Sequence, residues 1–375
     1  MPVDRLDLTA RTAPLADAAA RLHRFLPARS LQPALAGVLL QADADGLLMA
    51  ASDGEQSARM RVPVSVHTAG EVVVSRRGLA ETLAALDAYD VRIVAEGSRL
   101  ALRTPTGRFA LPQLDLTMCP RPAGLPPLVG TVTGSALRAA VVPVAGAASR
   151  ETALPIFTGI RVRAGADRLS LRATDRFRLA AASLCWEPAD PAATVASLIP
   201  AALFAEAARQ AADADRVDLY ADADRFAIGW GSGVVVTAAL ANPFPDRQLE
   251  QLLDVAAESV VELEPDALAA AVQRAVPYAG PHGRVTLEVR DGAVIVRGTD
   301  PVAGESEETV KADTAGDHLT RCYQARLLLD ALRPFPGAVR LEIQAGLRAT
   351  ALSAVHPGDE DLRYLVVPMR TDPAA

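Results

Sequence analysis

One pattern occurs three times along this chain of 375 residues. Gly37 to Asp53, Gly159 to Asp175 and Val285 to Asp300 each read as an alternating strand, a turn rich in Asp and Gly, and a second strand ending on a small residue and Asp. Period-two alternation broken by such a turn predicts a β-hairpin. The closing aspartates stand 122 and 125 residues apart. Solenoid repeats have periods of roughly 20 to 50 residues, so the repeated object here is a whole domain, present three times.

Helices recur on the same spacing. Short strands at Leu6, Gly130 and Val260 lead into alanine-rich helices predicted at Pro14 to Phe25, Ser135 to Ala148 and Pro265 to Val276, with Leu15, Leu137 and Leu268 near their starts. A second helix follows in each unit, at Arg77 to Ala88, Pro200 to Ala212 and Tyr323 to Leu332, with Leu79, Leu83 and Leu86 at helical spacing in the first of these. Further strand pairs span Val91 to Leu111, Val217 to Leu240 and Val339 to Pro368. Domain boundaries fall near the proline-rich linker Pro122 to Pro127 and near Gln248 to Asp254, giving domains at 1–124, 125–250 and 251–375. The expected fold class is α+β, with three similar domains that each pack two helices on antiparallel sheets.

Half of the residues are hydrophobic, yet no run approaches the roughly 18 apolar residues of a membrane helix, and the N-terminus lacks a signal-peptide core. A cytoplasmic protein with no membrane partner is expected. Cys119, Cys185 and Cys322 fall one per repeat without close partners, so they read as small buried hydrophobes rather than disulfides or zinc ligands. His23, His67, His282, His318 and His356 lie far apart, which gives a metal site no support. There is no phosphate-binding P-loop pattern. Gly229 to Gly233 superficially matches a dinucleotide fingerprint, but Val234-Val-Val-Thr continues as a strand, and a hairpin turn is the better reading. Asp213, Asp215, Asp218, Asp222 and Asp224 alternate mostly with alanine and read as a solvated face. No catalytic residue and no cofactor follow from any of these.

Thr174-Asp175-Arg176 on its own reads as a tight turn whose Asp accepts backbone hydrogen bonds while an Arg pairs nearby. Its neighbours add more. Glu151-Thr-Ala-Leu-Pro-Ile-Phe-Thr-Gly-Ile160, Ala173-Thr-Asp-Arg-Phe-Arg-Leu-Ala180, Phe244-Pro-Asp246, Tyr323-Gln-Ala-Arg-Leu-Leu-Leu-Asp-Ala-Leu332 and Tyr364-Leu-Val-Val-Pro-Met-Arg370, with Leu26 to Pro33 and Leu39 to Arg61, together resemble the bacterial DNA polymerase III β subunit, the sliding clamp. The resemblance covers nearly the whole chain.

It implies three domains per chain and two chains joined head to tail in a ring around duplex DNA. The net charge of −7 fits a ring that is acidic outside and basic where helices line its hole. Arg21 and Arg24 share one face of the first helix, Arg326 and Arg333 one face of the last, and Arg138, Arg209 and Arg274 stand on others. Arg76 and Arg77 are expected among the DNA-facing residues too, and Arg29 and Arg150 match or adjoin DNA-facing positions of the family. Such residues meet phosphates without reading bases, and support only weak binding of about 10⁻⁴ to 10⁻⁶ M. Closure of the ring supplies the rest.

The resemblance also implies a groove between the second and third domains for short peptides from the DNA polymerase III α subunit, the clamp loader and other partners. Its positions map to Phe157, Thr174, Arg176, Phe177, Arg178, Leu179, Pro245, Leu365, Val366, Val367, Pro368, Met369 and Arg370. The homodimer interface is expected where edge strands around Arg103 to Phe109 of one chain meet a strand near Val294 to Gly298 of the other, including Val296, with apolar help from Val276 and Tyr278. The chain departs from the family at Arg247, where an aromatic is common, at Phe157, where a smaller aliphatic residue is usual, and at Gln324, usually asparagine. Two alternatives therefore stand beside the housekeeping clamp: a specialised second copy with an altered groove, antibiotic-tolerant or dedicated to a subset of partners, and a non-DNA scaffold of the same fold.

Overall fold

The computed structural model describes residues 6–26, 33–191, 193–241 and 243–370. Among them are seven α-helices: α1 Thr12–Phe25, α2 Arg76–Ala84, α3 Gly134–Gly146, α4 Ala201–Gln210, α5 Asp246–Leu253, α6 Pro265–Ala275 and α7 Ala325–Leu332. Six lie where the repeat predicts them. In α1 the buried residues are Thr12, Leu15, Ala18, Ala19, Leu22 and Phe25, the three-four spacing that lays one helix face on a sheet. Leu268, Ala271, Val272 and Ala275 do the same in α6, as do Leu328, Ala331 and Leu332 in α7. The seventh, α5, is not among the expected helices: the boundary segment Gln248 to Asp254 is mostly helix, anchored by buried Leu249. Pro122 to Pro127 carries no helix or strand, in keeping with its prolines.

The chain divides into two compact units. The first comprises residues up to Ser135, Glu187–Ile199 and Ala205–Ala239. It contains an antiparallel sheet of fourteen strands. Within it Gln56–Val62 of the first repeat pairs with Gly233–Ala238 of the second, so the sheet runs through the seam between repeats. The second unit comprises Ala136–Trp186, Pro200–Phe204 and Leu240 onward. Here Arg178–Cys185 of the second repeat pairs with Arg363–Val366 of the third, Leu179 opposite Leu365. A separate four-stranded sheet has the order Gly304–Lys311, Ala293–Asp300, Arg284–Arg290, Thr320–Gln324. The middle repeat thus gives its strands to two sheets, which no spacing in the sequence reveals.

The recurring aspartates have one local job. Asp53 Oδ1 accepts from the backbone N–H groups of Glu55 and Gln56, Asp175 Oδ1 from Phe177 and Arg178, and Asp300 Oδ1 from Val302 and Ala303. A fourth copy, at Asp222, accepts from Asp224 and Arg225. An Asp side chain that mimics the backbone in this way fixes the reversal after each strand. The glycine cluster is also a turn: Trp230 pairs with Gly233 across Gly231, whose φ is +43°. Gly134 is needed where α3 starts, since a Cβ there would lie 1.8 Å from the Ala211 carbonyl oxygen. Of the cysteines only Cys322 is buried; Cys119 is half-buried and Cys185 is exposed at its strand end, against the expectation of three core residues. No helix among the described residues is long and apolar enough to cross a membrane.

Candidate functional site

The predicted groove residues converge on the seam in the second unit, and burial sorts them into frame and surface. Thr174 is buried; its Oγ1 donates to the Arg178 carbonyl at 2.7 Å and accepts from Arg176 N–H at 3.1 Å. Arg178, whose side chain is 7% exposed, lies beneath the turn, its Nε on Asp175 Oδ2 at 2.9 Å and its Nη1 on Asp330 Oδ2 of α7 at 2.7 Å. Desolvation disfavours its charge, but Tyr364, Asp330 and Asp175 outweigh that and raise its pKa. Burial pushes the neighbouring Tyr364 hydroxyl well above the usual phenol range, and its oxygen has no hydrogen-bond partner among the described residues. Leu179 and Leu365 form a buried cluster with Leu249 and Ala351, against which Phe244, Leu253 and Val255 pack.

Above that frame stand the residues a ligand can reach. Phe177 is 57% exposed, Val367 is exposed beside it with its N–H on the Phe177 carbonyl, and Phe157 is half-buried. The Arg176 guanidinium lies 5.7 Å from the Phe157 ring centroid and 6.0 Å from that of Phe177. Pro245 precedes α5. Val366 and Pro368 are buried, and Arg370 is exposed. Met369, expected as an adaptable exposed end, is half-buried with its N–H bonded to the Cys322 carbonyl. Sequence reasoning missed α5 and Asp330. Leu249, Leu252 and Leu253 at helical spacing after Phe244-Pro245 signal the former; nothing local signals the latter.

The predicted DNA-facing arginines also separate. Arg29 lies outside the described residues. Arg76 is 2% exposed, with Nε donating to His23 Nδ1 and Nη2 to the Leu26 carbonyl, which removes it from the exposed set. It is buried because it opens α2 against the end of α1. Burial, and then the charge of Arg76, holds the His23 imidazole below its usual pKa. Carboxylates occupy Arg21 (Asp17), Arg24 (Glu206), Arg77 (Glu81), Arg209 (Glu206) and Arg274 (Glu308). Arg138, Arg150, Arg326 and Arg333 are exposed and make no ion pair among the described residues. Arg326 and Arg333 line a cavity of about 720 Å³ between α6 and α7 together with Gln273, His282, Gln324 and Asp330.

Of the two strands expected at the interface, one lies at an open edge and the other lies inside its sheet. Arg108–Leu114 pairs with Arg99–Arg103 on one side, but on the other only Gln113 and Leu114 are paired, so its first half is an open edge carrying Phe109. Arg103 and Arg108 share Glu96. Val296 is 1% exposed, and its strand Ala293–Asp300 is paired on both sides. Gly304–Lys311 covers it and forms the real edge, with Glu305, Glu307 and Glu308. Alternation marked the strand but not its place in the sheet. Val276 is exposed and Tyr278 half-buried near that sheet.

Comparison with known proteins agrees with this layout. Models of the DNA polymerase III beta subunit match in sequence order: the N-terminal domain over residues 6–121, the central domain over 131–246 and the C-terminal domain over 250–370. The beta sliding clamp of Streptomyces coelicolor is 31% identical over 368 residues, covering 95% of this chain and 97% of that protein. The beta sliding clamp homolog GriR of Streptomyces muensis is 26% identical, covering 95% and 97%. Among solved structures, the Pseudomonas aeruginosa sliding clamp bound to griselimycin aligns with a TM-score of 0.90 at 21% identity, covering 98% of this chain and all of that one. The chain belongs to the DNA polymerase III beta subunit family, the beta sliding clamps.

Proposed function

We propose that this chain is a DNA sliding clamp: two copies close head to tail around duplex DNA, and the ring tethers the replicative polymerase, the clamp loader and other partners by the seam between the second and third repeats. It acts by tethering and carries no catalytic step. Its domains are those read from the sequence, 1–124, 125–250 and 251–375.

The observation that carries this reading is a rule the repeats obey. The strand after each Asp turn is offered to the last strand of the next repeat. After Asp53, Gln56–Val62 takes Gly233–Ala238; after Asp175, Arg178–Cys185 takes Arg363–Val366. After Asp300, Gly304–Lys311 is left with an open edge, and the last strand of the first repeat, Arg108–Leu114, is open over its first half. These two open edges are the partners the rule would bring together, and a second copy supplies the pairing. The third edge carries Glu305, Glu307 and Glu308 and the first carries Arg108 beside the exposed Phe109, so opposite charges can meet across copies. Each joint is heterologous, and two of them close a C2 ring. A closed ring also removes the exposed sheet edges that otherwise invite aggregation.

Inside such a ring the arginines without carboxylate partners, Arg138, Arg150, Arg326 and Arg333, supply the phosphate contacts. Sedimentation at micromolar concentration tests the assembly. A dimer is expected; a monomer throughout removes the ring. The groove surface of Phe157, Arg176, Phe177, Pro245 and Val367 suits an extended peptide, and the same residues favour a second reading in which this clamp serves a restricted set of partners.

A further inference from the structure

Arg176 has a φ of +80°, and it and Asp361 are the two non-glycine residues among the described ones in the left-handed region. Glycine enters that region freely, whereas an L side chain there is strained. The Asp175 turn enforces the conformation, through the N–H groups of Phe177 and Arg178 on Asp175 Oδ1 and that of Arg176 on Thr174 Oγ1. A strained residue held by an over-determined turn on a ligand-accessible surface points to a use for its side chain.

That side chain is a cation with no ion-pair partner among the described residues. The two carboxylates nearest the turn are committed elsewhere: Asp175 and Asp330 both bind Arg178. The guanidinium lies near Phe157 and the exposed Phe177, with Val367 hydrogen-bonded beside Phe177. Arg247 on α5 and Arg370 are also exposed and carry the same sign, with no ion pair among the described residues. The surface therefore offers apolar area and a preoriented, uncompensated positive charge in one place.

We propose that Arg176 is the specificity-determining residue of this groove, and that it selects partner segments carrying a carboxylate next to their apolar anchor. This rests on the groove reading above. The anchor packs on Phe177 and Val367. The carboxylate accepts both N–H groups of the guanidinium fork, a geometry in which arginine is stronger than lysine. Stacking near the two rings limits the rotamer freedom lost when the pair forms.

Three synthetic peptides test this, identical in an apolar pair and differing in having Asp, Asn or Lys immediately before it, titrated by fluorescence anisotropy against the full chain. The Asp peptide is expected to bind about tenfold more tightly than the Asn peptide, the size of one charge-assisted hydrogen-bonded contact, and the Lys peptide more weakly still. Arg176→Gly relaxes the backbone and is expected to keep or raise the melting temperature while the preference falls below about twofold. Arg176→Lys keeps the sign of the preference at reduced size. If Asp and Asn peptides bind the wild type equally, the proposal is overturned and the groove stands. Equal weakening of all three peptides by Arg176→Gly overturns it as well, because Arg176 then only shapes the turn. If no peptide binds the wild type, the groove reading itself fails.

Discussion

The turn chemistry of Asp175–Arg178 is repeated at Asp222–Arg225, which provides an internal control for what burial adds. In both, an Asp accepts two backbone N–H groups and pairs with the Arg three residues on. Arg225 is 40% exposed, and its further contact is the Gly124 carbonyl. Arg178 is 7% exposed and also holds Asp330, which is about one-third exposed. Replacing Arg178 by Met strands Asp175 inside and frees Asp330 at the surface. A charged hydrogen bond contributes about 1.5 to 3 kcal/mol; the contact to Asp330 is discounted for solvent screening, which leaves a total loss of about 3 kcal/mol. Arg225→Met falls in the range of exposed pairs, below about 1 kcal/mol. The two tryptophans divide between the units, Trp230 in the first and Trp186 in the second, so urea unfolding of single-tryptophan backgrounds reads each separately. With an m-value of about 2 kcal/mol/M, Arg178→Met lowers the Trp186 midpoint by roughly 1.5 M and Arg225→Met lowers the Trp230 midpoint by under roughly 0.5 M. Equal shifts would refute the claim that burial and the second carboxylate make Arg178 the frame of the groove.

Arg326→Gln with Arg333→Gln is expected to flatten the dependence of log K for DNA on log salt by about 1.8, since each lost phosphate contact removes about 0.9. Arg24→Gln with Arg274→Gln changes it by less than about half of that, because carboxylates already occupy those guanidinium groups. Tyr364→Phe removes a buried hydroxyl without a hydrogen bond and should leave stability unchanged or raise it slightly. Tyr323→Phe breaks a 2.6 Å bond to Thr350 Oγ1 and should cost about 1 to 2 kcal/mol, both read by thermal melting. His23 has a folded pKa below its unfolded value, so the unfolded state binds the proton more readily; stability is present above about pH 6.5 and lost as pH falls below it. His23→Gln, which keeps an acceptor for Arg76, should remove that loss in pH-dependent melts.

Much of the architecture was legible because period-two and helical spacings survive in each repeat. Leu15 to Phe25 and Val285 to Val296 needed only their own patterns. What spacing cannot carry is partnership at a distance. Val296 alternates like any half-buried strand residue, and only the pairing of Gly304–Lys311 shows that its strand is interior. Arg76 and Arg77 are adjacent and chemically identical, yet one is buried beneath α1 and the other pairs with Glu81 in solvent. Leu249 was legible in principle, but a helix of eight residues after Pro245 is easily passed over where a domain boundary is already placed. At the groove, the motif located the turn; the assignment of Arg178 to the frame and Arg176 to the surface required Asp330, 152 residues away.

A sliding clamp holds DNA topologically, by surrounding it. The direct measurement loads the chain with its clamp loader on nicked circular DNA, washes at a salt concentration that dissociates non-specific phosphate contacts, and then linearises half of the sample. Retention on circles with release from the linear molecules is predicted. Equal retention on both, or equal loss from both, would contradict it.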